Sequence, residues 1–169
     1  MRDAFAAQPA LAATLVHPDP GQVVAPLAAP GLIGQCASGL DLILEGFLLH
    51  HGRPRHLMVD DDGKRILAGD YCYAHGLVHV AKAGDLAVIA LLADLVALSA
   101  SLVATDDRAA LPALWRATVA VIACPDDLRQ EAALAAAKES MRAGDVEPIR
   151  ALGATLPQTP ELDEALSNA

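Results

Sequence analysis

The run from Leu86 to Ala104 constrains this chain more than any other feature, because it is apolar almost throughout and must be shielded from water along most of its length. Only a bilayer or a protein core provides that shielding. The run approaches the roughly 20 residues that cross a bilayer. Asp94 stands at its centre, where a carboxylate costs roughly 2.5 to 3.5 kcal/mol on insertion. No Lys or Arg closely flanks either end. The run therefore reads as a core helix rather than a membrane span. Asp94 then needs a partner, since burying it unpaired would cost several kcal/mol. A donor on another subunit and an intrachain hydroxyl or basic residue both fit. The small residues Ala97, Ser99, Ala100 and Ser101 allow close helix approach at either kind of contact.

A core to receive such a helix must come from aliphatic side chains, because 54% of the 169 residues are hydrophobic and only 3% are aromatic. Ala and Leu dominate that mixture, and both are strong helix formers. An all-α fold of a single domain follows, with helices packed as an antiparallel bundle. A net charge of -9 opposes binding to nucleic acid or to anionic lipid. Cys36, Cys72 and Cys124 are odd in number and widely spaced, which suits a reducing compartment. Arg2 is followed by Asp3, and Pro9 breaks the Ala-rich start, so the N-terminus is a poor leader and the cytoplasm is the expected location.

Pro9, Pro18, Pro20, Pro26 and Pro30 make residues 1–30 an arm with one short helix and then extended chain, lying against something. Residues 31–152 form the helical domain. Its first long helix spans Gly31 to His51, with Leu32, Ile33, Leu40, Ile43, Leu44, Phe47 and Leu48 at helical spacing. Asp60, Asp61 and Asp62 lead into a second helix from about Lys64 to Ala83, and Asp85 caps a third that pairs with it as a hairpin. Trp115 to Ala123 is a fourth, and Asp126 and Asp127 start a fifth that ends near Gly144. A last turn covers Ile149 to Leu152. Residues 153–169 are acidic and interrupted by Pro157 and Pro160, which predicts a loose tail.

Two short segments carry a resemblance. Asp41-Leu-Ile-Leu-Glu45 is followed, four residues on, by His50-His51-Gly52-Arg53-Pro54, and Ile66-Leu67-Ala68-Gly69-Asp70-Tyr71 comes downstream. Together they resemble the first aspartate-rich motif (D-D-x-x-D, then R-R-G-x-P) and the I-L-A-G-D-Y/F stretch of the trans-isoprenyl diphosphate synthases. The resemblance covers roughly residues 35–104 and implies part of the isoprenoid synthase fold. In that family the carboxylates hold Mg²⁺ and the arginines neutralise the allylic diphosphate. Here Asp41 and Glu45 share a helix face, so the implied Mg²⁺ site is a weak one. His50 and His51 replace the arginine pair and lack its permanent bidentate charge. The second aspartate motif and the Lys-Thr element are absent in recognisable form. No cofactor is required.

What the resemblance implies is a non-catalytic prenyltransferase-like subunit, with no enzyme activity of its own, that binds and modulates a larger catalytic polyprenyl diphosphate synthase. By the same resemblance its interface is the pair of helices carrying Asp70, Tyr71, His75, Ala93, Asp94 and Ala97. Two rival readings stand beside it: a structural accessory subunit on an unrelated complex, and a small metal- or haem-binding helical protein. A homodimer fits the same surface. The third reading rests on Cys72, His75 and His79, which recur at i, i+3 and i+7. Packing explains those three residues more simply. His50, His51 and His56 cluster near a turn, where a pH-sensitive contact or adventitious metal binding is the alternative to the simpler reading as surface histidines.

Overall fold

A computed structural model describes residues 1–28, 31, 35–167 and 169. Among them the chain is all-helical and has no strand, with an isolated bridge between Leu15 and Leu57. Three short helices come first, α1 (Arg2–Ala6), α2 (Pro9–Ala12) and α3 (Ala25–Ala28). Three long ones follow, α4 (Gln35–His51), α5 (Asp62–Ala81) and α6 (Leu86–Ala104). A 3₁₀ turn over Arg108–Ala110 leads into α7 (Leu111–Ala123), then α8 (Leu128–Arg142), α9 (Glu147–Ala154) and α10 (Pro160–Ser167). Leu32 and Ile33, expected in the first long helix, and Pro30 lie outside the described residues.

The helix starts follow from carboxylates placed to accept the first free N–H groups. Asp61 accepts from Lys64, Asp85 from Ala87 and Val88, and Asp127 from Arg129 and Gln130. After α8 the chain turns at Gly144 with φ +87°, a conformation that a side chain resists.

α4 is the centre of the molecule. Every residue from Gly39 to Leu49 is buried. Leu40, Ile43, Leu44, Phe47 and Leu48 enter the main core with Leu92, Leu95, Leu98 and Leu102 of α6 and Leu111, Leu114 and Ile122 of α7. Trp115 closes that core, its indole N–H donating to Ser99 Oγ at 3.1 Å. Leu42 and Leu49 leave α4 on the other side and meet Phe5, Leu57, Ala68 and Cys72 in a second apolar cluster.

The expected hairpin of α5 with α6 is secondary, because α5 packs chiefly along α4, antiparallel to it. Glycines set that approach. A Cβ on Gly39 would lie 2.6 Å from the Gly76 carbonyl oxygen, and one on Gly76 would lie 2.7 Å from that of Gly39. Gly46 meets the Gly69 carbonyl in the same way one heptad on, at 3.0 Å. The two helices touch backbone to backbone at both places.

The two ends of the chain carry more helix than expected, three short helices in the arm and α10 in the tail. The proline-rich arm folds back on its own domain, burying Phe5 fully. The tail expected to be loose holds α10, whose Leu162 and Leu166 are fully buried in the main core. Pro157 and Pro160 end one helix and start the next, and only three apolar residues are needed to seat so short a helix.

Candidate functional site

Asp41 and Glu45 point into the interior from α4, where water cannot solvate them, so each must find donors in the chain. Asp41 Oδ1 accepts from the Val23 and Val24 N–H groups at 2.8 and 3.0 Å, and Oδ2 accepts from Ala25 at 2.7 Å. The carboxylate thereby caps α3 from a neighbouring helix. Glu45 Oε1 accepts from His56 and Leu57 at 2.8 and 3.0 Å, and Oε2 accepts from Arg55 at 3.0 Å. Burial raises both pKa values, and the backbone donors work against that rise. The pair holds two loops against α4, and its lone pairs face N–H groups.

His50 and His51 are also engaged. His50 stacks on Tyr73 with centroids 5.4 Å apart and an interplanar angle of 8°, its Nε2 3.3 Å from Asp70 Oδ1. Gly69 makes room for that ring. The His51 ring lies 5.0 Å from Phe47, and burial lowers its pKa. Arg53 is exposed at the lip of a cleft of about 680 Å³ that also meets Arg55, Arg65, Asp60, Glu161 and Glu164. Arg55 donates to the Pro20 and Gly21 carbonyls, and Arg65 to those of Leu49 and Gly52 at the end of α4. These two guanidiniums brace backbone.

The expected interface residues fall into three environments. Asp70 is exposed, while the Tyr71 and His75 rings meet tilted by 30° with centroids 4.1 Å apart and Tyr71 donates to the Ala4 carbonyl at 2.8 Å, beneath the arm. Ala93 and Ala97 lie on an outward stripe of α6 formed by Leu86, Ala90, Ala93, Ala97, Ser101 and Ala104, all exposed and none charged. Val78 and Leu67 on α5 are exposed as well. α6 is long and apolar enough to cross a membrane, and 33% of its apolar window is buried. Asp94 finds its partners within the chain, on α8. Arg142 lies 2.7 Å from Oδ1 and Lys138 3.4 Å from Oδ2. Burial alone would raise the Asp94 pKa, but the hydrogen bond from Arg142 and the charge of Lys138 bring it below the ordinary value. Lys138 is buried and its pKa is lowered by desolvation, against the pull of Asp94.

Cys72 sits in the second apolar cluster, where burial pushes its thiol pKa up, away from thiolate chemistry. His75 turns to Tyr71 and the His79 Cβ packs at Gly39, so the three do not converge. Among the described residues no group of three or more His, Cys, Asp or Glu side chains could hold a metal ion.

His56, expected at the surface, is 2% exposed, with only long polar contacts to its ring, from Asp19 at 3.6 Å and from the Gly21 backbone. Burial, chiefly, lowers its pKa to about 4, and the charges of Arg55 and Arg2 add to the effect. Leu57, next to it in sequence and the start of an apolar pair across the arm, is the one signal that could have placed it inside. Arg116 was also missed. Its guanidinium lies 2.6 Å from Asp163 and donates to Gln158 and to the Gly153 carbonyl, fastening α10. Comparison with protein-family models, with curated proteins and with solved structures gives no significant match.

Proposed function

We propose that this protein is a non-catalytic binding subunit that docks on a larger protein through the outward side of α6. The uncharged stripe from Leu86 to Ala104 carries the proposal. Monomeric proteins seldom leave so long an apolar surface uncovered, and such surfaces mark interaction sites. The engagement of Asp41 and Glu45 by backbone donors favours a scaffold over a diphosphate-binding centre. The motif spacing over residues 35–104 favours a catalytic polyprenyl diphosphate synthase as the partner, with this chain modulating it. A structural place on an unrelated complex uses the same face.

The test is affinity capture from the native cells of the tagged protein and of its Ala93→Glu variant, with native mass on both. Ala93 is exposed, so the added charge should leave the fold intact and remove the partner. Stoichiometric recovery of a synthase with intact aspartate motifs, lost in the variant, is the expected result. Recovery of an unrelated complex would remove the synthase and keep the docking face. A monomer, unchanged capture by the variant, or sedimentation with membranes would overturn the proposal.

A further inference from the structure

The first 21 residues lie across α4 and α5 as a strap over the second apolar cluster. Phe5 is buried in that cluster, with Leu11 and Leu15 packed on it. Polar fastenings hold the strap near one point. The Val16 N–H donates to the His56 carbonyl at 2.9 Å, the Met58 N–H donates to the Thr14 carbonyl at 2.7 Å, and Arg2 donates to the Val16 carbonyl at 3.1 Å. Between these bonds the His56 side chain is enclosed by the strap, its ring 6.4 Å from that of Phe5. The groups around it are Asp19 and Arg2 from the strap, Arg55 from its own loop, and Glu45 from α4, which accepts the His56 N–H. Asp19 is the only carboxylate aimed at the ring among the described residues, with Oδ1 3.6 Å from Nδ1, and Arg2 Nε shares it at 3.5 Å.

We propose that residues 1–21 are an acid-released strap in which protonation of the enclosed His56 ring frees the segment and uncovers the apolar surface of Leu42, Leu49, Ala68 and Cys72. A proton on His56 in the closed state places a cation in an apolar enclosure with two guanidiniums near it, offset by a shared carboxylate and the Gly21 backbone of the strap. Lifting the strap returns the ring to water. The sign follows from linkage. The closed-state pKa of about 4 lies below the free value of 6.5, so closure is favoured fully above pH 6.5 and loses ground as the pH falls towards 4. At pH 5 the ratio of closed to open strap should be roughly 20-fold lower than at pH 7, from the two pKa values.

Cys72 reports the opening, because it is buried beneath the strap while Cys124 is exposed and serves as the reference thiol. The full chain would be treated with 4,4′-dithiodipyridine, which reacts under acid conditions, between pH 7 and 4.5. The modification rate of each cysteine would be read by mass spectrometry and helix content by circular dichroism. Cys72 should gain about 20-fold over Cys124 by pH 5 with helix content unchanged. His56→Leu and His56→Gln should flatten the profile. Asp19→Asn removes the offsetting carboxylate and should deepen the rise below pH 5 even if neither His56 variant folds. A flat wild-type profile, a rise that tracks loss of helix, or an unaltered rise in a folded His56 variant would overturn the proposal.

Discussion

Glu45 shows how far residue chemistry could be read ahead of the structure. Its spacing from Asp41 placed both carboxylates on one face of a helix, and they share one. In the structure every residue from Gly39 to Leu49 is buried, which leaves a carboxylate dependent on donors from the chain. The donors themselves were not legible. They are backbone N–H groups of residues 23–25 and 55–57, and a backbone donor carries no side-chain signature. Glu45→Ala strands three of them in a dry interior, so it should lower stability by about 3 kcal/mol or more. Glu45→Gln keeps one carbonyl oxygen and should cost about half as much. Urea unfolding of both variants provides the comparison, and a loss under about 1 kcal/mol for the alanine variant would mean that the loops do not depend on this carboxylate.

At the scale of elements, the helix starts were legible because Asp61, Asp85 and Asp127 announce themselves as caps, whereas the pairing of helices was not. α5 was expected to pair with α6, its neighbour in sequence. It packs along α4 instead, because Gly39 and Gly46 face Gly76 and Gly69 in reverse order, and that match appears only when two separate helices are read antiparallel. Replacing glycine with alanine inside a helix ordinarily gains about 1 kcal/mol. At Gly76 the new methyl would meet the Gly39 carbonyl, a backbone atom that cannot swing aside. Gly76→Ala should therefore destabilise by a net of about 1 to 2 kcal/mol. Gly84→Ala touches nothing within 4 Å but sits at φ +77°, and should cost about 1 kcal/mol from backbone strain alone. The two are separable by a second substitution at the contact. Truncating Ile43, whose Cγ1 lies 2.6 Å from the Gly76 Cβ position, should soften the first penalty and leave the second unchanged.

For the whole molecule, hydropathy misplaced the boundary between inside and outside at two points, and both follow from what a pattern measures. The apolar run of α6 reads as a core helix, yet only Val88, Leu92, Leu95, Leu98, Ser99 and Leu102 turn fully inward and the alanines between them face out. The tail reads as polar because Glu161, Asp163 and Glu164 break up its few apolar residues and Pro157 and Pro160 interrupt it, yet Leu162, Ala165 and Leu166 recur at i, i+3 and i+4 and close the core over α7. Composition averages over a segment, while burial is decided face by face. Opposite outcomes follow for two substitutions that the sequence would rank the other way. Leu162→Ala removes a fully buried side chain and should cost about 2 to 4 kcal/mol, although it lies in the acidic last stretch of the sequence. Ala93→Glu adds a charge to the middle of the most apolar helix and should change the stability of the isolated chain by less than about 0.5 kcal/mol, because that position is exposed. Urea midpoints measured in parallel decide it. A mild loss for Leu162→Ala would mean that α10 does not seal the core, and a large one for Ala93→Glu would mean that the α6 stripe is covered by the chain's own partner in solution.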